Sequence, residues 1–156
     1  MHPNEQLITN FYKAFQTKDF ITMQNAYAEN GMFNDEVFRN LNAGEVRSMW
    51  EMLIKTGKDL QLEFSNVNAD DKKGSAEWIA TYTFTKTKRK VINRIKANFD
   101  FENGKIVKHT DKFDFYAWAK QAFGITGVLL GWTGVLKNKV RAFAKNNLDA
   151  FMQGKK

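Results

Sequence analysis

Apolar residues recur at helical spacing up to about residue 57 and at a spacing of two from about residue 60. Leu7, Ile8, Phe11, Tyr12 and Phe15 share one face of a helix predicted over 5–16. Asn4 stands where its N-cap is expected. Asp19 is placed to cap a second helix carrying Phe20, Met23, Ala26 and Tyr27 on one side, with Gly31 beyond its end. Met32 to Phe38 reads as a short strand or extended loop. A third helix follows Gly44, with Val46, Met49, Trp50, Leu53 and Ile54 as its buried stripe and Gly57 as its stop.

Beyond this the period is two. Leu60, Leu62, Phe64 and Val67 form a strand that slips out of alternation near Ser65. Asp70 to Gly74 is a polar turn. In 75–86, Ala76, Trp78, Ala80, Tyr82 and Phe84 lie on one side. A basic turn leads into a strand at 91–101, and Glu102-Asn103-Gly104 makes a hairpin to a last strand from Lys105 to about Phe115. Helices followed by a meander of about four strands predict an α+β fold, a curved antiparallel sheet around the N-terminal helices. Such a cone holds a cavity at its open end.

The tail from Trp118 differs. Gln121 to Leu136 is uncharged over 16 residues and contains four glycines, and a helix resumes over 137–151. As a helix the uncharged run spans roughly 24 Å, short of a bilayer core. Its apolar residues, among them Trp118, Leu129, Leu130, Trp132 and Val135, cannot all stay in water on a monomer. A pocket lid or a dimer element is the expectation for 118–156 beside an α+β domain at 1–117. Membrane contact is the third option and is not expected.

Composition narrows the chemistry. The chain has 156 residues, no Cys, two His, 14 Phe, 4 Trp and a net charge of +7. Thiolate metal sites, disulfide scaffolds and cysteine nucleophiles are excluded. No metal-ligand spacing, Gly-rich phosphate loop or serine nucleophile motif occurs, so neither a metal nor a cofactor is expected. The basic run Lys86, Lys88, Arg89, Lys90, Arg94, Lys96 lacks interleaved aromatic residues, which favours a solvated hairpin tip over nucleic-acid binding. With no signal peptide at the N-terminus, a soluble cytoplasmic protein is expected.

Candidate chemistry sits on the last strand. His109 and Asp111 are two apart and share a face with Val107 and Phe113. Pivoting on the hairpin, that face is expected inside the cone with Ile95, Ala97, Phe99 and Phe101. A His and an Asp among aromatic rings can move a proton at neutral pH. The structural alternatives are a satisfied sheet-edge histidine and an Asp held by a helix N-terminus or a base. Asp35, beside Glu36, is either a third member or a loop carboxylate. Phe11, Phe15, Trp50, Trp78, Tyr82, Phe99, Phe101 and Phe113 form a core that doubles as pocket wall for a small hydrophobic ligand.

Two stretches carry a resemblance. Phe99-Asp100-Phe101-Glu102-Asn103-Gly104-Lys105-Ile106, followed by His109-Thr110-Asp111-Lys112-Phe113-Asp114, resembles the closing hairpin of the nuclear transport factor two-like superfamily. Phe11-Tyr12-Lys13-Ala14-Phe15, Lys18-Asp19-Phe20 and Tyr27 to Asp35 are similar to its opening helices and first strand. The superfamily includes ketosteroid isomerases, limonene-epoxide hydrolases and SnoaL-like polyketide cyclases, and the resemblance spans residues 5–116. It implies that Asp35 matches the isomerase general base, whereas Phe11 and Ala97 stand where the isomerase has a Tyr and a second acid. Asp111 matches a carboxylate of the epoxide hydrolases, but Thr81 to Thr85 lack their Arg and Asp. The cyclases' acid–base His and Asp would be met by His109 and Asp111. The implied function is a cofactor-free isomerase, cyclase or hydrolase that binds a small hydrophobic molecule in the cone pocket, with a homodimeric assembly expected; the alternative is a non-catalytic ligand-binding or dimeric interaction module.

Overall fold

The computed structural model describes residues 1–154. Helix α1 (Pro3–Gln16) begins two residues before the expected start at residue 5. Pro3 suits the first turn, so the cap moves back to His2, whose Nδ1 accepts the Asn4 N–H while Glu5 accepts the His2 N–H. Asn4 is therefore not the cap. Its side chain instead donates to the carbonyls of Asp70 and Asp71, tying α1 to a distant turn.

Asp19 caps α2 (Phe20–Asn25) as expected. The helix is shorter than its spacing predicts, because Tyr27 already opens strand β1 (Tyr27–Asn34). Gly31 thus lies in a strand, where an added Cβ would sit 3.0 Å from the Ala28 carbonyl oxygen. The short β2 (Leu41–Asn42) leads into α3 (Ala43–Thr56), boxed by Asn42 and Glu45 and ended by Gly57.

Four strands follow: β3 (Gln61–Ala69), β4 (Lys73–Phe84), β5 (Arg89–Glu102) and β6 (Lys105–Lys112). The sheet has the order β2-β1-β6-β5-β4-β3, antiparallel except for the parallel pair β1–β6. The slip near Ser65 is a register shift before Asn68. Asn103 and Gly104 both have positive φ, the geometry that a two-residue hairpin needs. The fold is α+β, with α1 and α3 against the inner face of the sheet, where Phe11, Trp50, Ala97 and Phe99 are buried.

Strand β6 stops at Lys112, short of Phe115, because Asp114 caps α4 (Phe115–Phe123) by accepting the Ala117 N–H. After it come α5 (Ile125–Leu130) and α6 (Gly134–Gly154), the latter starting before the expected Lys137. Leu148 anchors α6 in the main core, and Lys145 bridges it to Glu45 of α3. Trp118 and Leu136 are buried in a second cluster around α4. Leu129, Leu130, Trp132 and Val135 are exposed on the single chain, so the α+β body does not cover them; α5 packs on α4 through its glycines instead. Among the described residues no helix is long and apolar enough to cross a membrane.

Candidate functional site

Strand β6 sets the site through an irregularity. Glu102 pairs with Lys105 and Phe101 with Ile106, but Asp100 pairs with Lys108 and Phe99 with His109. One extra residue, Val107, is absorbed as a bulge. Ile106 therefore takes the buried position and Val107 is only half-buried, which corrects the placing of Val107 beside His109. Beyond the bulge the predicted parity holds: His109 and Asp111 are buried, whereas Lys108 and Lys112 are exposed.

His109 has no exposed surface and lies among the rings of Phe11, Phe33, Trp50 and Phe99. Its Nδ1 is 2.8 Å from the Tyr27 hydroxyl, and its Nε2 is 2.8 Å from Asp111 Oδ1. The Tyr27 oxygen accepts the Trp50 indole N–H at 2.9 Å, which leaves the Tyr27 O–H to donate to Nδ1. That direction puts the ring proton on Nε2, where it is donated to Asp111. Trp50, Tyr27, His109 and Asp111 thus form one directed chain. Burial raises the Tyr27 pKa well above its ordinary value and keeps its proton in place.

The two ends of this chain, Trp50 and Asp111, reach the cavity wall; His109 lies behind Asp111. The expectation that His109 and Asp111 would both face the cavity is therefore corrected. Strand curvature, rather than parity, decides which of two inward residues meets open space. The Asp111 charge is felt nearby: with burial as the larger cause, it pushes the Tyr12 hydroxyl pKa well up.

Asp35 stands just past the end of β1, where the stretch Met32–Phe38, read as a short strand or extended loop, passes from strand at Asn34 into a turn. Its Oδ1 accepts the backbone N–H groups of Val37 and Phe38 at 2.7 and 2.6 Å. It also lines the cavity. Burial raises its pKa to about 7, the two N–H donors oppose the rise, and the charges of Asp111 and Glu36 add to it. Asp35 from the turn after β1 and Asp111 from β6 therefore line one cavity, and the Asp111 charge is felt at Asp35.

The cavity has a volume of about 520 Å³. Phe15, Trp50, Trp78, Tyr82 and Phe113 line it, whereas Phe11, Phe99 and Phe101 lie in the core away from its wall. Val140, Phe143, Asn147 and Phe151 of α6 complete it from the tail side. One polar group escaped the sequence reading, and another, the hydroxyl of Tyr82, entered it only as part of an aromatic wall. Asn93 is buried at the wall, and its amide makes no hydrogen bond to protein among the described residues. The parity of Ile95 and Ala97, carried one step back along β5, points to it. The Tyr82 oxygen accepts the Trp118 indole N–H at 2.7 Å, so its own O–H remains available to a guest. Burial, and to a lesser degree the Asp35 charge, raises the Tyr82 pKa. Among the described residues no group of three or more His, Asp or Glu is placed to hold a metal ion.

Comparisons agree with this geometry. No curated protein matches the chain. An NTF2-like protein of unknown function from Burkholderia pseudomallei superposes with a TM-score of 0.69 at 17% identity, covering 80% of this chain and 100% of that one. A candidate polyketide cyclase from Xanthomonas campestris gives 0.64 at 18%, covering 77% and 96%. An LEH-like epoxide hydrolase from M. tuberculosis gives 0.61 at 18%, covering 86% and 95%. At these identities the likeness is one of fold. The sequence profile described as a SnoaL-like domain matches residues 8–109, which include most of α1, all of α3 and β5 and the β6 positions up to His109, and the chain, whose fold is NTF2-like, therefore belongs to the SnoaL-like domain family.

Proposed function

We propose that the protein binds a small hydrophobic molecule bearing a carbonyl or similar polar group and moves a proton on it by acid–base chemistry. The observation that carries this reading is the pair Asp35 and Asp111 on the wall of one largely apolar cavity, with the Asp35 pKa raised to about 7. A group titrating near the working pH can both take and return a proton. Asp35 is the proton-transfer base in this reading, and Asp111 is the second carboxylate. His109 acts through Asp111 as a positioning residue. The Asn93 amide and the Tyr82 O–H are donors for an oxygen that gains negative charge during proton abstraction.

The test begins with a thermal-shift screen of hydrophobic carbonyl compounds, followed by turnover assays on a hit. Asp35→Asn and Asp111→Asn keep shape and remove proton transfer, so each is expected to lower turnover by roughly 10²–10⁴-fold while Kd changes little. In the wild type, kcat/KM should rise with pH through about 7 as Asp35 ionises. Full turnover in both variants would overturn the reading. A ligand bound without any turnover would favour the non-catalytic binding module, which the apolar wall also suits.

A further inference from the structure

Helix α5 is seated the wrong way round for a soluble protein. Its buried side is glycine: a Cβ on Gly127 would lie 1.9 Å from the Ala119 carbonyl oxygen, and one on Gly131 would meet Tyr116 and Ala119 at 2.9 and 3.0 Å. Its large side chains face outward. Ile125 is 78% exposed and Leu129 63%, with Val128 and Leu130 nearly half exposed; just beyond the helix Trp132 is 74% exposed, and Val135 at the start of α6 is 65% exposed. Ile125, Val128 and Leu129 stand at helical neighbour positions. The Trp132 indole N–H donates to the Leu129 carbonyl at 3.0 Å, which holds its ring next to them.

This apolar face lies in the most basic part of the molecule. From Phe115 to Leu148 there is no acidic residue, and none occurs from Phe84 to Ile92; together these segments carry nine Lys and Arg. The two are packed together. Thr87 and Arg89 of the β4–β5 turn donate to the carbonyls of Ala122 and Gln121, and the Arg89 guanidinium lies against Gly124. Lys86 sits over the Phe143 ring at 4.7 Å. Lys137 and Lys145 have acidic partners. Lys86, Lys88, Arg89, Lys90, Lys120 and Lys139 have none among the described residues.

We propose that the outer face of α5, with the basic β4–β5 turn beside it, docks on an anionic lipid surface. Exposed aliphatic and Trp side chains enter the headgroup boundary, and the unpaired bases meet lipid phosphates and carboxylates. A second copy of the chain is a poorer occupant, since apposing this face on itself brings the same positive charges together. Nucleic acid would satisfy the bases and leave Ile125, Val128 and Leu129 without a partner. Lipid contact is the third of the options open for the tail, and it stands here in place of the pocket lid or dimer element that the sequence favours.

The test is co-sedimentation of the intact protein with vesicles. Phosphatidylcholine containing about 30% phosphatidylserine, at about 0.1 M salt, should pull the protein down, and pure phosphatidylcholine should do so at least about tenfold less well. Brominated lipid should quench Trp132 fluorescence, a loss absent from Trp132→Phe. Two double variants, Leu129→Ser with Trp132→Ser and Lys88→Gln with Lys90→Gln, should each weaken binding by roughly tenfold or more. Circular dichroism melting checks that both remain folded. Wild-type protein left in the supernatant with the anionic vesicles would overturn the proposal. So would equal binding by the variants, or a lipid-free dimer that Trp132→Ser dissociates and vesicles do not bind.

Discussion

The cavity wall and the outer face of α5 break the inside–outside rule in opposite directions. At the wall, polar groups sit among aromatic rings: His109 and Asp111 are almost wholly buried. On α5, large apolar groups stand in solvent. The difference lies in how each exception is satisfied. The buried polar groups satisfy one another through the chain Trp50–Tyr27–His109–Asp111. The exposed apolar groups touch little of their own protein, because the contacts that fix α5 run through Gly127 and Gly131. A region that completes its own interactions is stable alone, whereas one that does not is built for contact with something else.

The comparison can be broken at its strongest point by His109→Ala. This removes the partner of two buried groups at once and leaves a void among four rings. A loss of about 3–5 kcal/mol is expected in urea denaturation. A loss below about 1 kcal/mol would mean that the chain is not what holds this interior together.

Asp35→Asn should have a smaller effect of the opposite sign. The Asn oxygen still accepts from Val37 and Phe38. In the wild type the folded pKa of about 7 exceeds the ordinary 3.8, so the folded state holds a proton that the unfolded chain has released. Wild-type stability therefore falls as pH rises from about 4 to 7 and levels off above that. The variant lacks this slope. It should equal the wild type near pH 4 and exceed it by about 2–4 kcal/mol at pH 8. Urea denaturation at the two pH values reads the difference, and parallel curves would contradict the raised pKa.

Trp132→Ser sharpens the contrast from the other side. Removing a 74% exposed indole should change stability by no more than about 0.5 kcal/mol in the absence of lipid. A larger loss would show that the ring packs on its own protein.

Much of this was legible in residue order. Alternation along Ala76, Trp78 and Ala80 identifies a strand with one buried face, and the same parity places His109 and Asp111 inside. What escaped depends on three-dimensional form. Tyr27 continues the helical spacing of Phe20 and Met23, yet it is buried equally well as the first residue of β1. Parity gives the side of the sheet but not the depth, so it cannot tell Asp111 at the wall from His109 behind it. Asn93 carries the right parity and was passed over because its neighbours on that face are apolar. The outward face of α5 depends on form as well: its large apolar residues call for a cover, but the close backbone approach allowed by Gly127 and Gly131 leaves them on the outside of the single chain.

The bulge at Val107 can be viewed as a counting device. The hairpin at Asn103 and Gly104 imposes one phase on β6, with Ile106 inward, and the site needs another, with His109 inward. Inward residues three apart cannot both belong to an unbroken alternation, and the single surplus residue reconciles them. Deleting Val107 would leave Ile106 and His109 two apart, so an unbroken strand would keep both inward without any bulge. Retaining Val107 as a paired residue would do the reverse: Lys108 would turn inward and the imidazole and its carboxylate toward solvent. The bulge is thus the local adjustment by which a strand one residue too long for the hairpin's phase still aims His109 and Asp111 inward.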